Sequence, residues 1–340
     1  MYKVLMKGIT WLWWHLPLSR ENKEMLKTFV FRSFSIIFKN SMFYRNWKEA
    51  REWAESSDQP LARNQNGGSK NNSVAILRER HQFDPIIAEP IASLAIIIHA
   101  FHLEIFKEII KYLNDLDEIK FALYVTCPEE FIDKINELLE SHFFKYNSIP
   151  VENRGRDILP FLRMLPQIFE DGHPVILKIH TKKSDHRRTG ELWRKDLYDK
   201  LLKDKAVKQA VDIFNKDHSV GLIGVPGHVV PMSLYYGANA RMVQSLSLAM
   251  GVSPSQFRGM NFSAGSMFYA RRQALLPLLE LGLQTKDFED ELGQRDGTLA
   301  HAVERAFAIS TMAANMKLVD MTYSPQKQNL AITKDHPFTY

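Results

Sequence analysis

The sequence predicts an α/β protein built on one mostly parallel sheet with helices on both faces. Three observations carry that prediction. Short apolar runs rich in Ile, Val and Leu recur from residue 92 onward. Stretches with helical apolar spacing separate them. The runs are nearly continuous rather than alternating, as in strands buried on both faces.

The elements follow in order. Residues 22–39 combine Leu26, Phe29, Val30, Phe34 and Ile37 with Lys23, Lys27, Arg32 and Lys39. Such a helix could lie in a lipid headgroup layer, or it could pack on the main domain. "SSDQPLARNQNGGSKNNS" (56–73) lacks large apolar groups and reads as a linker. The chain therefore divides into a helical N-terminal extension (1–55), a linker (56–75), a main domain (76–325) and a tail (326–340). In the main domain "ASLAIIIHAF" (92–101) is the first strand and "LEIFKEIIKYL" (103–113) a helix. "KFALYVTC" (120–127) is the second strand. "PEEFIDKINELLESH" (128–142) opens with Pro and two acids, as helix N-termini prefer. "FFKYNSIPVEN" (143–153) contains the third strand, "DILPFLRMLPQIF" (157–169) is helical, and "PVILKIH" (174–180) is the fourth strand. Helical patterns follow around 190–216. "SVGLIGVPG" (219–227) is the fifth strand, "NFSAGSMFYA" (261–270) the sixth, and "GTLAHAVERAFAI" (297–309) a late helix. Ligands of such sheets bind beyond the carboxyl ends of the strands. That rim receives residues 153–157 and 180–184 and the loops after 98 and 225.

Composition narrows the function. The 340 residues are 45% hydrophobic, 24% charged and 11% aromatic, as in a globular protein. The net charge of +5 permits an anionic partner without demanding one. Cys127 is the single cysteine, which excludes an intramolecular disulfide and a cysteine-rich zinc site. It reads as a buried structural thiol. No secretory signal is evident, and no uncharged apolar run reaches the ~18 residues of a membrane span. The expectation is a cytoplasmic protein that could touch a membrane surface. Nucleic acid is not an expected partner, because aromatics are not interleaved with the cations.

Three stretches carry chemistry. "VILKIHTKKSDHRRTGELWRKDL" (175–197) puts Lys182 and Lys183 just past a buried strand. A helix beginning near Gly190 would add its amide dipoles, and the complementary charge is phosphate or pyrophosphate. The alternative is a solvated basic loop. In "ENRGRDILPF" (152–161), Gly155 permits a tight turn or a close approach to a ligand. Asp157 there could face a ligand or merely cap the following helix. "DFEDELGQRDGTLAHAVERAF" (287–307) gathers Asp287, Glu289, Asp290, Glu291, Asp296, His301 and Glu304. A cleft carboxylate could take a proton from a hydroxyl nucleophile. His301 and Glu304 could ligate a metal from one helix face, or the loop could be a solvated cap ending at Asp296.

Together "NRGRDILPFL", "LKIHTKKSDHRRTGELWR", "NFSAGSMFYARRQAL" and "ELGQRDGTLAHAVERAF" resemble the rhamnan synthesis protein F family over roughly residues 90–310. The resemblance implies a GT-A-like glycosyltransferase with a single mixed sheet, working in bacterial cell-surface polysaccharide synthesis of the rhamnan, O-antigen or capsule type. It implies a nucleotide diphosphate sugar donor carrying activated rhamnose, a lipid-linked glycan acceptor, and work at the inner face of the cytoplasmic membrane. Under that reading Asn153, Arg156, Asp157 and His180 contact the nucleotide or sugar, and Lys182 and Lys183 bind pyrophosphate. Asp296 is the first candidate base and Glu291 the second, while Ser263 and Gly265 shape the acceptor side. One departure concerns the cofactor. GT-A enzymes often hold a divalent metal with Asp-x-Asp after a central strand, and here His180-Thr181-Lys182 stands at that point. The formal match "DLD" (115–117) belongs to the opposite rim. A divalent metal is therefore not required, though His180 with His301 or Asp157 could hold one. The competing reading is a noncatalytic polysaccharide-assembly protein that binds glycan or a partner enzyme.

Overall fold

The computed structural model describes residues 18, 20–39, 41, 44, 45, 47, 48 and 51, then residues 93–116, 118–143, 145–181, 190–257, 259–294 and 296–324. The proposed linker and tail, and the basic loop 182–189, lie outside the described residues.

Among the described residues, α1 (Arg20–Ser33) and α2 (Ser35–Phe38) precede the main domain. The domain then alternates as read from the sequence. β1 (Leu94–His99) leads to α3 (Leu103–Asn114), β2 (Phe121–Cys127) to α4 (Ile132–Glu140), and β3 (Tyr146–Pro150) to α5 (Ile158–Glu170). β4 (Val175–His180) follows, then α6 (Gly190–Leu202), α7 (Asp204–Lys216) and β5 (Val220–Gly224). The remainder comprises β6 (Val229–Pro231), α8 (Ala240–Ala249), α9 (Pro254–Phe257), β7 (Asn261–Ser263), β8 (Phe268–Arg271), α10 (Arg272–Leu279), α11 (Leu299–Ala313) and β9 (Lys317–Asp320).

Seven strands form one sheet in the order β3-β2-β1-β4-β8-β5-β9, and β6 pairs with β7 in a second, small sheet. β8 alone in the main sheet runs antiparallel to its neighbours. The main sheet is thus mixed and mostly parallel, as expected, but it is not the only sheet, because β6 and β7 pair apart from it. Side-chain alternation along each strand divides two apolar cores. Ala95, Ile97, Ile176, Leu222, Phe268 and Ala270 pack on one face with α5, α8, α10 and α11. Leu94, Ile96, Ile98, Leu177, Ile223 and Tyr269 pack on the other with α3, α4, α6 and α7. Cys127 is buried as expected, and burial pushes its thiol up to about 11.

Two readings need correction. The stretch 261–270 is two strands, because the chain turns at Gly265 and Ser266, both at positive φ. The helical patterns of 190–216 are two helices, as that reading allows, separated at Lys203, whose extended backbone (ψ 139) ends one and starts the next. The short strands β6 and β9 were not anticipated. Their three or four residues are too few for a period to register.

Candidate functional site

The strand order reverses at β1, with β2 on one side and β4 on the other. A crevice opens at the carboxyl ends of strands at such a switch point. His99 and His180 close the two strands as register partners. Thr181 ties the strand ends together: its Oγ1 accepts from the amides of Phe101 at 2.8 Å and His102 at 2.9 Å. β8 runs the other way, so its start, not its end, reaches this rim. That brings the Gly265–Ser266 turn alongside His180.

The crevice is a cleft of about 380 Å³. Its walls come from the β1 end (His99, Phe101, His102), the β3–α5 junction (Asn153, Arg156, Asp157), the β4 end, the Gly265 turn, and the segment carrying Glu291, His301 and Glu304. Asp157 lines the cleft and Lys178 lies buried beneath it. Lys178 lies on β4, only 1% exposed, and its Nζ donates to Asp157 Oδ2 at 2.5 Å, Ser266 O at 2.8 Å and Ser266 Oγ at 3.0 Å. Burial alone would raise the Asp157 carboxyl, but the charges of His180 and Lys178 outweigh it and hold the group well below the usual carboxylate range. Burial also pulls the Lys178 ammonium down, while Asp157 opposes that shift. Asp157 precedes α5 yet makes no side-chain cap. The capping alternative is thereby corrected: the buried ammonium is a stronger partner than helix amides.

Histidines line the upper walls. His180 Nε2 is 3.0 Å from Gly265 O, and since a carbonyl only accepts, Nε2 carries the proton. The same nitrogen is 3.9 Å from Asp157 Oδ2. His99 Nδ1 meets Thr126 Oγ1 at 3.0 Å. Burial pulls His99 down to about 4; Asp157 opposes that shift and Lys178 adds to it. Burial and then the Arg156 guanidinium likewise pull His301 down to about 4, with Glu304 and Asp296 opposing.

The remaining wall is held by Arg156 and Glu291. Arg156 sits at φ 55, unusual for a residue with a side chain. Glu291 Oε1 accepts its backbone amide at 3.1 Å, and Glu291 Oε2 is 3.8 Å from its Nε. That Nε is buried and makes no hydrogen bond. Gly155 does need its glycine, though not for a ligand: at φ +66, an added Cβ would lie 2.6 Å from Leu159 Cβ and 2.8 Å from Phe288.

The sequence-derived candidates fall into three groups. Asn153, Arg156, Asp157, His180, Gly265 and Glu291 line one cleft. Lys182 and Lys183 lie outside the described residues. Asp296 and Ser263 stand outside the lining. Asp296 is exposed and clasps a neighbouring turn, accepting from Ala238 N at 2.9 Å and Asn239 Nδ2 at 2.5 Å. It does not cap α11, whose Leu299 amide is taken by Glu289 Oε2 at 2.9 Å. Ser263 is buried, and its hydroxyl donates to Met267 O. His301 and Glu304 are engaged with Thr298 and with the Gly265 amide. Among the described residues, no group of three or more His, Cys, Asp or Glu side chains is arranged to hold a metal. Asp115 of the "DLD" stretch terminates α3 at the opposite rim, as expected, and Asp117 lies outside the described residues. Sequence reasoning missed Lys178 and His99, and it weighed Glu304, which lines the cleft, only as a metal ligand. The signal for Lys178 was present, as a lone cation inside a strand otherwise built of buried apolar residues.

The chain's sequence matches one protein family. Residues 75–316 match the model described as rhamnan synthesis protein F. The WxcX proteins of two strains of Xanthomonas campestris pv. campestris are 32% and 31% identical over 251 residues, or 73% of this chain. The chain spans about a third of those relatives, 35% of their length. Among solved structures, S. aureus TarS 1–349 is similar with a TM-score of 0.37 and 13% identity, covering 67% of this chain and 57% of that one. The 4-diphosphocytidyl-2C-methyl-D-erythritol synthase of Anaerococcus prevotii has a TM-score of 0.38 and 9% identity, covering 67% and 89%.

Proposed function

Because the chain belongs to the rhamnan synthesis protein F family, we propose that it is a glycosyltransferase of cell-surface polysaccharide synthesis. The donor is a nucleoside diphosphate sugar, with activated rhamnose the first candidate, and the acceptor is a lipid-linked glycan at the cytoplasmic face of a membrane. The observation that supports this reading best is the cleft at the β1/β4 switch point, which the partly exposed Arg156 side chain lines from the β3–α5 junction.

Each wall then has a task. Arg156 meets a phosphate of the donor, supported by Lys182 and Lys183 from the loop after β4. Asn153, Asp157 and His180 hold hydroxyls of the ribose or sugar, with Asp157 kept ionised by Lys178. Gly265 leaves room for the acceptor. The acceptor oxygen attacks the anomeric carbon, the bond from that carbon to the β-phosphate oxygen breaks, and the nucleoside diphosphate leaves with the electron pair. Glu291 takes the acceptor proton, a role for which its place on the cleft wall favours it over Asp296. General-base assistance of this kind contributes about 10²–10⁴ in rate.

The test is a panel of nucleoside diphosphate sugars, titrated calorimetrically with and without divalent metal, followed by assay of nucleoside diphosphate release with a glycan acceptor. Saturable binding of one donor, lost in Arg156→Ala, supports the reading. Binding of glycan with no affinity for any donor would favour the noncatalytic alternative.

A further inference from the structure

The N-terminal helix α1 carries apolar side chains on its outer face as well as its inner one. A helix on a globular protein normally faces its apolar stripe inward. Here Met25 is 70%, Phe29 64% and Ile36, in α2, 81% exposed, while the cation Lys23 is 6% exposed. Met25, Phe29 and Arg32 lie at i, i+4 and i+7, on one side of α1. Five of the eight exposed large apolar side chains among the described residues fall between Met25 and Ile36.

This orientation is anchored from the other side. Phe31 is buried, with its ring 5.3 Å from Phe38, 5.5 Å from Tyr44 and 5.3 Å from Trp47. α1 also rests on the turn Met232–Leu234 of the main domain. The outward apolar face is thus held in place by an inner face that is already packed. Among the described residues, the exposed charges from Arg20 to Arg51 are cationic. Arg32, Lys39 and Arg45 are exposed, whereas Glu24 is turned onto Lys27 at 2.7 Å.

We propose that this face docks on an anionic lipid surface, with Met25, Phe29 and Ile36 entering the headgroup layer and Arg32, Lys39 and Arg45 meeting lipid phosphates. A second copy would bring like charges together, and a nucleic acid would gain nothing from the apolar side chains. No helix among the described residues is long and apolar enough to cross a membrane, so the contact is peripheral. The inference deepens the functional reading, because a lipid-linked acceptor is presented at such a surface, but it stands on different residues.

The experiment is co-sedimentation of the full chain, without donor, with vesicles of phosphatidylglycerol and phosphatidylcholine and with phosphatidylcholine alone. At least a tenfold preference for the anionic vesicles is expected. The triple variant Met25→Ser, Phe29→Ser, Ile36→Ser and the pair Arg32→Glu, Lys39→Glu should each bind several-fold more weakly, with an unchanged melting temperature. Equal pelleting with both vesicles, or undiminished binding by both variants, would overturn the proposal. So would a triple variant that melts much earlier or changes oligomeric state, since the face would then be covered by the chain itself or by a second copy. Failure here leaves donor binding untouched. Conversely, a chain that binds vesicles but no donor would defeat the glycosyltransferase reading alone.

Discussion

Lys178 and Asp157 form a buried ion pair, Nζ 2.5 Å from Oδ2, beneath the cleft. The lysine occupies a position in β4 where its neighbours Leu177 and Ile179 are wholly apolar and buried. Removing one member of such a pair leaves the other as an uncompensated charge. Lys178→Met should therefore cost about 3–5 kcal/mol, read by urea unfolding. Lys178→Met combined with Asp157→Leu should recover much of that loss while abolishing donor binding. Equal stability of the wild type and the single variant would show that the pair contributes nothing.

The buried histidines make stability depend on pH. In the unfolded chain His99 and His301 bind a proton at their ordinary 6.5, whereas the folded protein refuses it until about 4. The unfolded state therefore gains protons first, and stability falls as pH drops from 6.5 toward 4. For His99 alone the loss is on the order of 3 kcal/mol across that window. Asp157 adds to the loss only lower, once pH falls below about 3.9 and the unfolded carboxylate is protonated. Urea midpoints between about pH 7 and about pH 4.5 should fall steadily, and His99→Phe should remove roughly half of the slope. A flat profile would mean that neither ring is buried in its neutral form.

Glu291 and Asp296 are separated by structure, not by residue type. Glu291 lines the cleft and braces Arg156, while Asp296 clasps Ala238 and Asn239. Glu291→Gln should lower turnover by about a hundredfold or more, with a smaller change in donor KM. Asp296→Asn loses a charged acceptor from the clasp, so its main effect should be about 1 kcal/mol of stability. The opposite pattern, with turnover lost in Asp296→Asn and kept in Glu291→Gln, would return the base assignment to Asp296.

Most of the sheet was legible because its strands are long, buried on both faces and separated by amphipathic helices. β6 and β9 were not, because three or four residues carry no period, and β7 was read as continuous with β8 because nothing in the apolar pattern marks the turn between them. In the site, Asn153, Arg156, Asp157 and His180 could be found because strand-end position alone puts them on the rim. Asp157 and Asp296 show the limit. Each precedes a helix in the sequence and reads equally as a cap or a site group. Only the partners decide, Lys178 from β4 for one and Asn239 from before α8 for the other. Both partners are remote in the chain, so no local pattern announces them.

His228 is the last relationship to test. Trp193 Nε1 donates to His228 Nδ1 at 2.9 Å, and an indole N–H can only donate. His228 therefore keeps its proton on Nε2, which faces Asp196 Oδ2 at 2.9 Å. The two rings lie parallel, 1° apart in plane. Trp193 in turn backs the Gly265 turn: a Cβ on Gly265 would be 3.5 Å from Trp193 Cζ2. That turn supplies the carbonyl to His180 and the Ser266 oxygens to Lys178. His228→Phe keeps an aromatic ring at the position but removes both hydrogen bonds, at about 1–3 kcal/mol for the buried indole N–H left unpaired. Because the Gly265 turn rests on Trp193, donor KM should rise several-fold while kcat stays near normal. His228→Gln, which can still accept and donate, should restore part of both. A His228→Phe protein with unaltered stability and unaltered KM would reduce the Trp193–His228–Asp196 chain to incidental packing.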